Sequence, residues 1–320
     1  MPFDRATIQR VLASRFIWAS YVLAGVVVVS FAGRLHWLCD LATHFRAQYA
    51  AAGLLLATGL LLCGRFRAAT WPLAIGLINA WFLAPFYLPP DEPAAPPSDA
   101  KRLKIISLNV YAGSKSYDEV LGYLREARPD FVVFTEMTHA WQRQLKVLEA
   151  DYPEQHFAAR DDAFGIALIA KLKLDDATID LLGDQAYVRA TCTIDGRPLT
   201  LFGVHPFPPI GAAPSAMRNQ SFALLNKHLR ATKGAVITVG DFNSTSWSPH
   251  FADLLAGTTL RDARLGRGVQ PSWSTTHPLP LRIPIDHTLV SPQVYVLERR
   301  LGPAVGSDHL PVELEFSLRP

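Results

Sequence analysis

Three long windows without a charged residue lie in the first 90 positions, and they restrict what this chain can fold into. They cover residues 16–33, 47–64 and 68–90. A helix that crosses a bilayer needs about 20 mostly apolar residues, so the windows predict three transmembrane helices. A cleaved signal peptide would explain the first window alone. The second window could also form a re-entrant segment. Residues 1–90 are thus predicted to be a membrane anchor.

Positive charge around these windows predicts the orientation of the anchor. Arginines precede the first window and separate the second from the third: Arg5, Arg10, Arg15, Arg65 and Arg67. The connection between the first two windows holds Arg34, Arg46 and Asp40. Asp91 and Glu92 follow the third window. Because loops rich in lysine and arginine stay in the cytoplasm, we expect everything after residue 90 to lie outside the cytoplasmic membrane.

Residues 91–100 are predicted to be a linker, because positions 89–100 contain five prolines and such a chain is stiff and extended. The rest, residues 101–320, is enough for one large domain. It carries 24 Lys and Arg against 23 Asp and Glu, whereas a nucleic-acid binder usually shows a basic surplus. Cys192 is the one cysteine in this part of the sequence, which excludes a disulfide framework and a cysteine zinc site.

Strands and helices alternate along residues 101–320. Apolar, β-branched runs predict strands at 103–110, 131–135, 165–170, 186–194, 199–204, 235–239, 285–290 and 311–317. Helices are predicted at 117–127, 139–149 and 215–231. Asp195 and Gly196 join two of the strands as a hairpin. Strands that alternate with helices, with a hairpin among them, indicate mixed sheets in an α/β fold.

The stretch 235–245, AVITVGDFNST, places two polar side chains at the end of a buried strand. Asp241 and Asn243 lie two positions apart, so both point to one side of an extended chain. The pair is typical of an Asx turn, and it would also suit a phosphate and its metal ion. Similar polar residues end or precede other strands: Asn109, Glu136, His205, Asp308 and His309. Because ligands of α/β proteins gather at such edges, and oxygen ligands suit Mg²⁺ or Mn²⁺, the pattern predicts a metal and phosphate site.

Six segments that carry these residues follow one another in a distinctive order. They are SLNV, TEM, GVHPF, GDFN, IDHTLVS and SDHLPV. Together they resemble the endonuclease/exonuclease/phosphatase superfamily, which includes deoxyribonuclease I-like nucleases, abasic-site endonucleases, neutral sphingomyelinases and inositol polyphosphate 5-phosphatases. The resemblance covers residues 101–320. It implies a two-sheet α/β sandwich, like that of deoxyribonuclease I, and metal-dependent hydrolysis of phosphate esters.

The resemblance further implies a set of metal ligands. Glu136 corresponds to the principal metal ligand of the family, Asn109 to the amide that supports it, and Asp308 to a carboxylate of the metal site. The cofactor would be Mg²⁺ or Mn²⁺. The sequence leaves open whether one ion or two operate.

Five residues would act on the substrate: His205, Asp241, Asn243, Asp286 and His309. Asp241 resembles the carboxylate that positions or deprotonates the attacking water. His205 and Asn243 resemble the groups that hold the phosphoryl oxygens. His309 resembles the essential histidine, and Asp286 the acidic partner that orients it.

Other residues near these segments are assigned to packing. His287 stands where the family often carries Tyr or Phe, and we expect it to pack rather than to act as a catalyst. Arg218 and Gln220 are expected to pack beside the site. Trp247 and Trp273 are expected on loops that flank it, where core packing is the default and an indole facing an apolar substrate is the alternative.

Taken together, the sequence predicts a membrane-anchored, divalent-metal-dependent phosphoester hydrolase at the outer face of the cytoplasmic membrane. Its partners would be membrane lipids and a phosphate-containing substrate, with a lipid-linked phosphate or pyrophosphate favoured by analogy. One alternative is an extracytoplasmic nuclease that cleaves DNA or RNA. Another is a non-catalytic membrane scaffold with a retained fold. The sequence does not specify an oligomeric state.

Overall fold

The computed structural model describes residues 5–90 and 100–319. Residues 91–99 lie outside the described residues, so the predicted linker at 91–100 falls almost entirely there. The two described parts are nevertheless in direct contact with each other, as the hydrogen bonds below show.

Four α-helices are described within residues 5–90. They are α1 (Arg5–Ser30), α2 (Trp37–Thr43), α3 (Arg46–Leu62) and α4 (Phe66–Leu83), and a 3₁₀ turn at Ala84–Phe86 extends the last. The helix at Arg5–Ser30 and the helix at Phe66–Phe86 are each long and apolar enough to cross a membrane. The short helix α2 meets α3 at a bend of 66°, and the two form a third candidate if they count as one span. Two or three spans are therefore available, and each of the predicted windows falls on a helix.

The long helices pack against one another through small residues. A Cβ atom added to Gly53 of α3 would lie 2.6 Å from the backbone nitrogen of Gly76 in α4, so only glycine allows this approach. At one end of the bundle, Phe16 of α1 packs against Gly59 of α3. Helix α3 runs antiparallel to α1 and α4. The five arginines of the predicted cytoplasmic side are therefore found at this end of the bundle: Arg5, Arg10, Arg15, Arg65 and Arg67.

At the other end of the bundle, aromatic rings surround a buried arginine. The guanidinium carbon of Arg46 lies 4.8 Å from the ring centroid of Phe31 and 4.6 Å from that of Phe82. Its Nη1 donates to the side-chain oxygen of Asn79, 3.1 Å away. This end of the bundle also contacts the rest of the chain.

Within residues 100–319, twelve strands form two six-stranded sheets. The strands are β1 (Leu103–Asn109), β2 (Phe131–Thr135), β3 (Glu154–Ala158), β4 (Ile166–Ala170), β5 (Asp176–Leu182), β6 (Gln185–Ile194), β7 (Arg197–Val204), β8 (Ala235–Asp241), β9 (Arg261–Asp262), β10 (Asp286–Val290), β11 (Val294–Leu301) and β12 (Val312–Leu318). The first sheet has the order β11-β12-β1-β2-β4-β3, and the second has the order β5-β6-β7-β8-β10-β9. Both sheets are mixed, because β1–β2 and β7–β8 are parallel pairs while the neighbouring pairs are antiparallel.

Four helices cover the outer faces of the two sheets. They are α5 (Tyr117–Ala127), α6 (His139–Leu145), α7 (Ala212–Ala231) and α8 (Pro249–Leu255). The largest apolar core lies between the sheets, and two smaller cores lie under the helices. The predicted two-sheet α/β sandwich is therefore confirmed.

Several predicted elements differ from the observed ones. The helix predicted at 139–149 ends earlier, at Leu145, and continues as a 3₁₀ turn at Lys146–Leu148. Strands β3, β5, β9 and β11 were not predicted. They form the four edges of the two sheets, where part of each strand faces solvent and polar or charged residues interrupt the apolar ones.

The helices of residues 5–90 are seated on the sandwich through buried polar contacts. Asp40 of α2 forms an ion pair with Arg218 of α7 and accepts a hydrogen bond from Ser248. Just before α3, His44 Nδ1 lies 3.0 Å from the hydroxyl of Thr245. Arg218 thus packs beside the loop after β8, as expected, but its charge is balanced by Asp40 of α2.

Candidate active site

The two sheets bring the predicted site residues to one edge of the sandwich. In each parallel pair the strands end together, which places Asn109 and Glu136 at one pair of strand ends and His205 and Asp241 at the other. Strand β10 runs the opposite way, so that its first residue, Asp286, stands opposite Asp241 in the register.

A buried imidazole and carboxylate form the centre of the site. Nδ1 of His309 lies 2.8 Å from Oδ2 of Asp286, and both side chains are almost fully buried. The hydroxyl of Ser307 accepts a hydrogen bond from the backbone N–H of His309, 3.0 Å away. Burial alone would lower the pKa of His309, but the carboxylates of Asp286 and Asp241 outweigh it and raise this pKa to about 10. The imidazole is therefore a cation at neutral pH.

Asp241 connects the histidines to the strand β8. Its Oδ2 lies 3.6 Å from Nε2 of His205 and 3.6 Å from Nε2 of His309. Its Oδ1 accepts a hydrogen bond of 2.8 Å from the backbone N–H of Asn243. Burial would raise the pKa of Asp241, but the charge of His309 and the contact with His205 lower this pKa to about 2. Asp241 is therefore ionised at neutral pH.

Asn109 links the carboxylates of the two sheets. Its Nδ2 lies 3.0 Å from Oε1 of Glu136 and 3.1 Å from Oδ2 of Asp241, and it donates to both. The other oxygen of Glu136 accepts a 2.8 Å hydrogen bond from the backbone N–H of Ala112. A single amide thus fixes the position of one carboxylate from each sheet.

The backbone at the site adopts uncommon conformations. Glu136 has φ +58° and Asn243 has φ +49°, a left-handed region that residues other than glycine rarely occupy. Gly240 has φ +148°, and a Cβ atom at this position would run into the carbonyl oxygen of Val204. The glycine therefore lets β8 approach β7 closely enough to set Asp241 beside His205.

The structure places Asn243 and Asp308 at the margins of this centre. The amide Nδ2 of Asn243 donates to the carbonyl oxygen of Pro206 at 3.0 Å, which fixes the plane of the side chain. The indole N–H of Trp273 donates to Oδ2 of Asp308 at 3.0 Å. Oδ1 of Asp308 is buried and has no hydrogen-bond partner among the described residues. A buried carboxylate oxygen without a partner is suited to a bound cation or its water.

The predicted metal ligands therefore fit a divalent cation by their chemistry. Glu136 offers a half-buried carboxylate, and Asp308 offers an oxygen without a partner. A second group of residues, Asp241, Asp286 and His309, has ligand atoms within 4.8 Å of one another. The short contacts of His309 with Asp286 and Asp241 join this second group into a charge network.

Two further aromatic side chains lie near the site, and the sequence analysis singled out one of them, His287. His287 packs behind the site, where its Nε2 donates to the carbonyl oxygen of Ser244 at 2.7 Å and its ring stacks near Phe251. Phe164 was not singled out, yet its ring lies 5.9 Å from that of His205 and 4.7 Å from that of Phe207. Phe164 lies in a loop before β4, and no local pattern marks it as part of the site.

This arrangement of strand ends and polar groups has a counterpart among known proteins. The sequence profile of the Endonuclease/Exonuclease/phosphatase family matches residues 106–309. The chain belongs to the endonuclease/exonuclease/phosphatase family. The chain therefore has the phosphoesterase fold of that family, whose members are generally phosphoester hydrolases.

Solved structures support the assignment of the fold. TDP2 of D. rerio, humanized by 14 mutations, is 20% identical, with a TM-score of 0.59 over 68% of this chain and 99% of that one. D. rerio TDP2 complexed with a single-strand DNA product is 19% identical, with a TM-score of 0.58 over 68% and 99%. An endonuclease/exonuclease/phosphatase from Bacteroides vulgatus is 17% identical, with a TM-score of 0.58 over 68% and 100%. A comparison with curated proteins finds no match.

Proposed function

We propose that this protein is a membrane-anchored, divalent-metal-dependent phosphoester hydrolase. It acts at the outer face of the cytoplasmic membrane on a lipid-linked phosphate or pyrophosphate. The observation that carries the proposal is the direct packing of the phosphoesterase fold on the domain-side ends of the apolar helices, through Asp40 and Arg218. A site held there meets the phosphates of lipids at high effective concentration.

The chemistry follows from the charges of the site. Hydrolysis of a phosphate ester places additional negative charge on the phosphoryl oxygens. A divalent cation bound by Glu136, with Asn109 and Asp308 beside it, would neutralise part of that charge. His309, protonated and held by Asp286, would donate a hydrogen bond or a proton from Nε2 to the reacting phosphate.

Three further residues complete this proposed mechanism. Asp241, ionised at neutral pH, would accept a hydrogen bond from the attacking water and orient it. His205 and Asn243 would donate hydrogen bonds to the non-bridging oxygens. The hydrogen bond from Asn243 to Pro206 uses one of its two amide hydrogens and leaves the second for a phosphoryl oxygen.

The distribution of charge on the anchor supports the outward orientation. Five arginines lie at or beyond the end of the bundle where Phe16 meets Gly59, and the sandwich lies at the opposite end. Under the positive-inside rule, this arrangement puts the arginines in the cytoplasm and the site outside.

A nuclease remains the second candidate, because one similar structure, D. rerio TDP2, holds a single-strand DNA product. The nearly neutral charge of residues 101–320, with 24 basic against 23 acidic residues, favours the lipid substrate over it. A non-catalytic scaffold would have no use for an almost fully buried His309–Asp286 pair, whose desolvation costs several kcal/mol per ion.

The test uses the full chain in bilayer nanodiscs. Phosphate release is measured from a polyprenyl pyrophosphate in the bilayer, and strand cleavage is measured on single- and double-stranded DNA, each with Mg²⁺ or with EDTA. We expect Mg²⁺-dependent phosphate release, no DNA cleavage, and loss of activity in His309→Gln but not in His228→Gln. Brisk DNA cleavage without phosphate release would establish the nuclease instead, and no activity on either substrate would support the scaffold.

A further inference from the structure

One surface segment of the sandwich lies across the domain-side ends of two anchor helices. We name residues 263–285 the bridging segment. Near its start, the backbone N–H groups of Gly266 and Gly268 donate to the carbonyl oxygens of Pro85 and Phe86 at the end of α4, at 3.1 and 2.6 Å. Near its end, the side chain of Gln48 in α3 donates to the carbonyl oxygens of Pro280 and Arg282, each at 3.0 Å.

The composition of the bridging segment suits a lipid surface. It contains no Asp or Glu. Arg264, at its start, is buried and paired with Asp262, whereas Arg282 directly follows the exposed turn Leu279–Leu281. Its 3₁₀ turn at Leu279–Leu281 exposes 62% of Leu279 and 57% of Leu281. Exposed leucines beside arginines are typical of segments that lie at the boundary between headgroups and acyl chains.

The charge of Arg282 is not neutralised by a carboxylate. Its Nε donates to the carbonyl oxygen of His277 at 2.9 Å, and its Nη2 donates to that of Thr275 at 3.2 Å. No ion pair with Arg282 is found among the described residues. These contacts fix the loop and leave the positive charge available to a phosphate from outside the protein.

The position of Gln48 fixes the depth of the turn. Gln48 is the third residue of α3, and Leu55, an exposed residue, follows seven positions later, about 10 Å along the helix axis. If Leu55 faces the acyl chains, Gln48 and the turn that it holds lie at the headgroup boundary. Leu279 and Leu281 then enter the outer leaflet rather than water.

The same segment contacts the candidate active site. Trp273 donates to Oδ2 of Asp308, and its ring centroid lies 6.2 Å from that of His309. The backbone N–H of Thr275 donates to the carbonyl oxygen of Asp308 at 2.8 Å. The segment therefore joins the exposed leucines to the reacting centre within a few residues.

We infer that the bridging segment is a membrane-docking surface whose partner is the outer leaflet of the bilayer. Leu279 and Leu281 insert at the headgroup boundary, Arg282 meets a lipid phosphate, and Trp273 couples this position to Asp308 and His309. The inference rests on the proposed membrane anchoring. It adds an explanation of how the site is held at the height of the lipid phosphates.

Insertion can be measured without any substrate. Leu281→Cys and Val147→Cys are each labelled with a nitroxide in a Cys39→Ser, Cys63→Ser background, and the protein is placed in nanodiscs of phosphatidylcholine and phosphatidylglycerol. Val147 is the matched control, because it is 58% exposed and lies in the turn Lys146–Leu148 on the outer face of the first sheet. We expect the label at 281 to collide mainly with oxygen, which concentrates in lipid, and the label at 147 with a water-soluble nickel chelate. Equal nickel accessibility at both positions would overturn the inference.

An activity measurement separates this inference from the proposed function. Leu279→Ser with Leu281→Ser should lower hydrolysis of a bilayer-embedded lipid pyrophosphate about tenfold, equivalent to about 1.4 kcal/mol, and leave hydrolysis of a soluble phosphate ester unchanged. Val147→Ser should change neither rate. An equal loss on both substrates would contradict docking. Nitroxide insertion together with inactivity on every phosphate ester would contradict the proposed function and leave docking in place.

Discussion

The buried ion pair between the N-terminal helices and the sandwich leads to a quantitative prediction. The side chain of Arg218 is fully buried and that of Asp40 is 1% exposed. Asp40 also accepts a 2.6 Å hydrogen bond from Ser248, and Arg218 donates one to Ser244 at 3.3 Å. Asp40→Ala would leave the guanidinium of Arg218 buried without a counter-charge. Such a change costs roughly 3–5 kcal/mol in the free energy of unfolding.

The exposed pair Arg34–Asp253 provides a matched control, since it joins the same two parts of the chain. Its side chains are 59% and 50% exposed. Exposed pairs contribute about 0–1 kcal/mol, so Arg34→Ala should have little effect. For a domain of this size, 1 kcal/mol corresponds to roughly 2–4 °C in Tm. We therefore expect Asp40→Ala to lower Tm by about 6–20 °C, and Arg34→Ala by no more than about 4 °C.

Thermal unfolding of the detergent-purified protein, followed by near-UV circular dichroism, measures both shifts. The double replacement of Asp40→Leu with Arg218→Met removes both charges together, and it should recover most of the loss. If Asp40→Ala unfolds within about 4 °C of wild type, the range assigned to an exposed pair, the buried pair does not hold the two parts together and the reasoning is wrong.

Three further predictions concern the site. Because the pKa of His309 is raised from 6.5 to about 10, its stabilising effect is complete below pH 6.5 and is lost as the pH rises through about 10. The Tm of wild type should therefore fall relative to that of His309→Gln between these values. Glu136→Gln should weaken the dependence of phosphate release on Mg²⁺ concentration, measured by titration after EDTA treatment; an unchanged titration would remove Glu136 from the metal site. Asp286→Asn should reduce turnover less than His309→Ala, because it removes orientation and not the imidazole; the reverse order would contradict their assigned roles.

The parts of the fold that the sequence predicted are those with a strong local pattern. The helix α5 (Tyr117–Ala127) and the strand β2 (Phe131–Thr135) begin and end where they were predicted. The helix shows the period of an amphipathic helix, and the strand is a continuous apolar run. The edge strand β5 (Asp176–Leu182) was missed, since its stability comes from pairing with β6 rather than from its own apolar residues.

The residues of the site could be recognised in the sequence for a different reason. Its polar residues stand out in the sequence because each interrupts or ends an apolar run, so their shared edge could be predicted before any distance was known. The left-handed backbone at Glu136 and Asn243 could not, because it depends on neighbours from other strands. The pairing of Asp40 with Arg218 also left no local signal, since a charge between two apolar windows is normally assigned to solvent.

The buried pair of Asp40 and Arg218 also sets an order of events during synthesis. The two residues are separated by 178 positions in the chain. At roughly 5–20 residues per second, the ribosome completes Arg218 about 9–36 s after Asp40. During this interval the carboxylate of Asp40 has no guanidinium to pair with, and the loop after β8 does not yet exist. The connection between α1 and α3 therefore takes its final form only when the sandwich folds onto it.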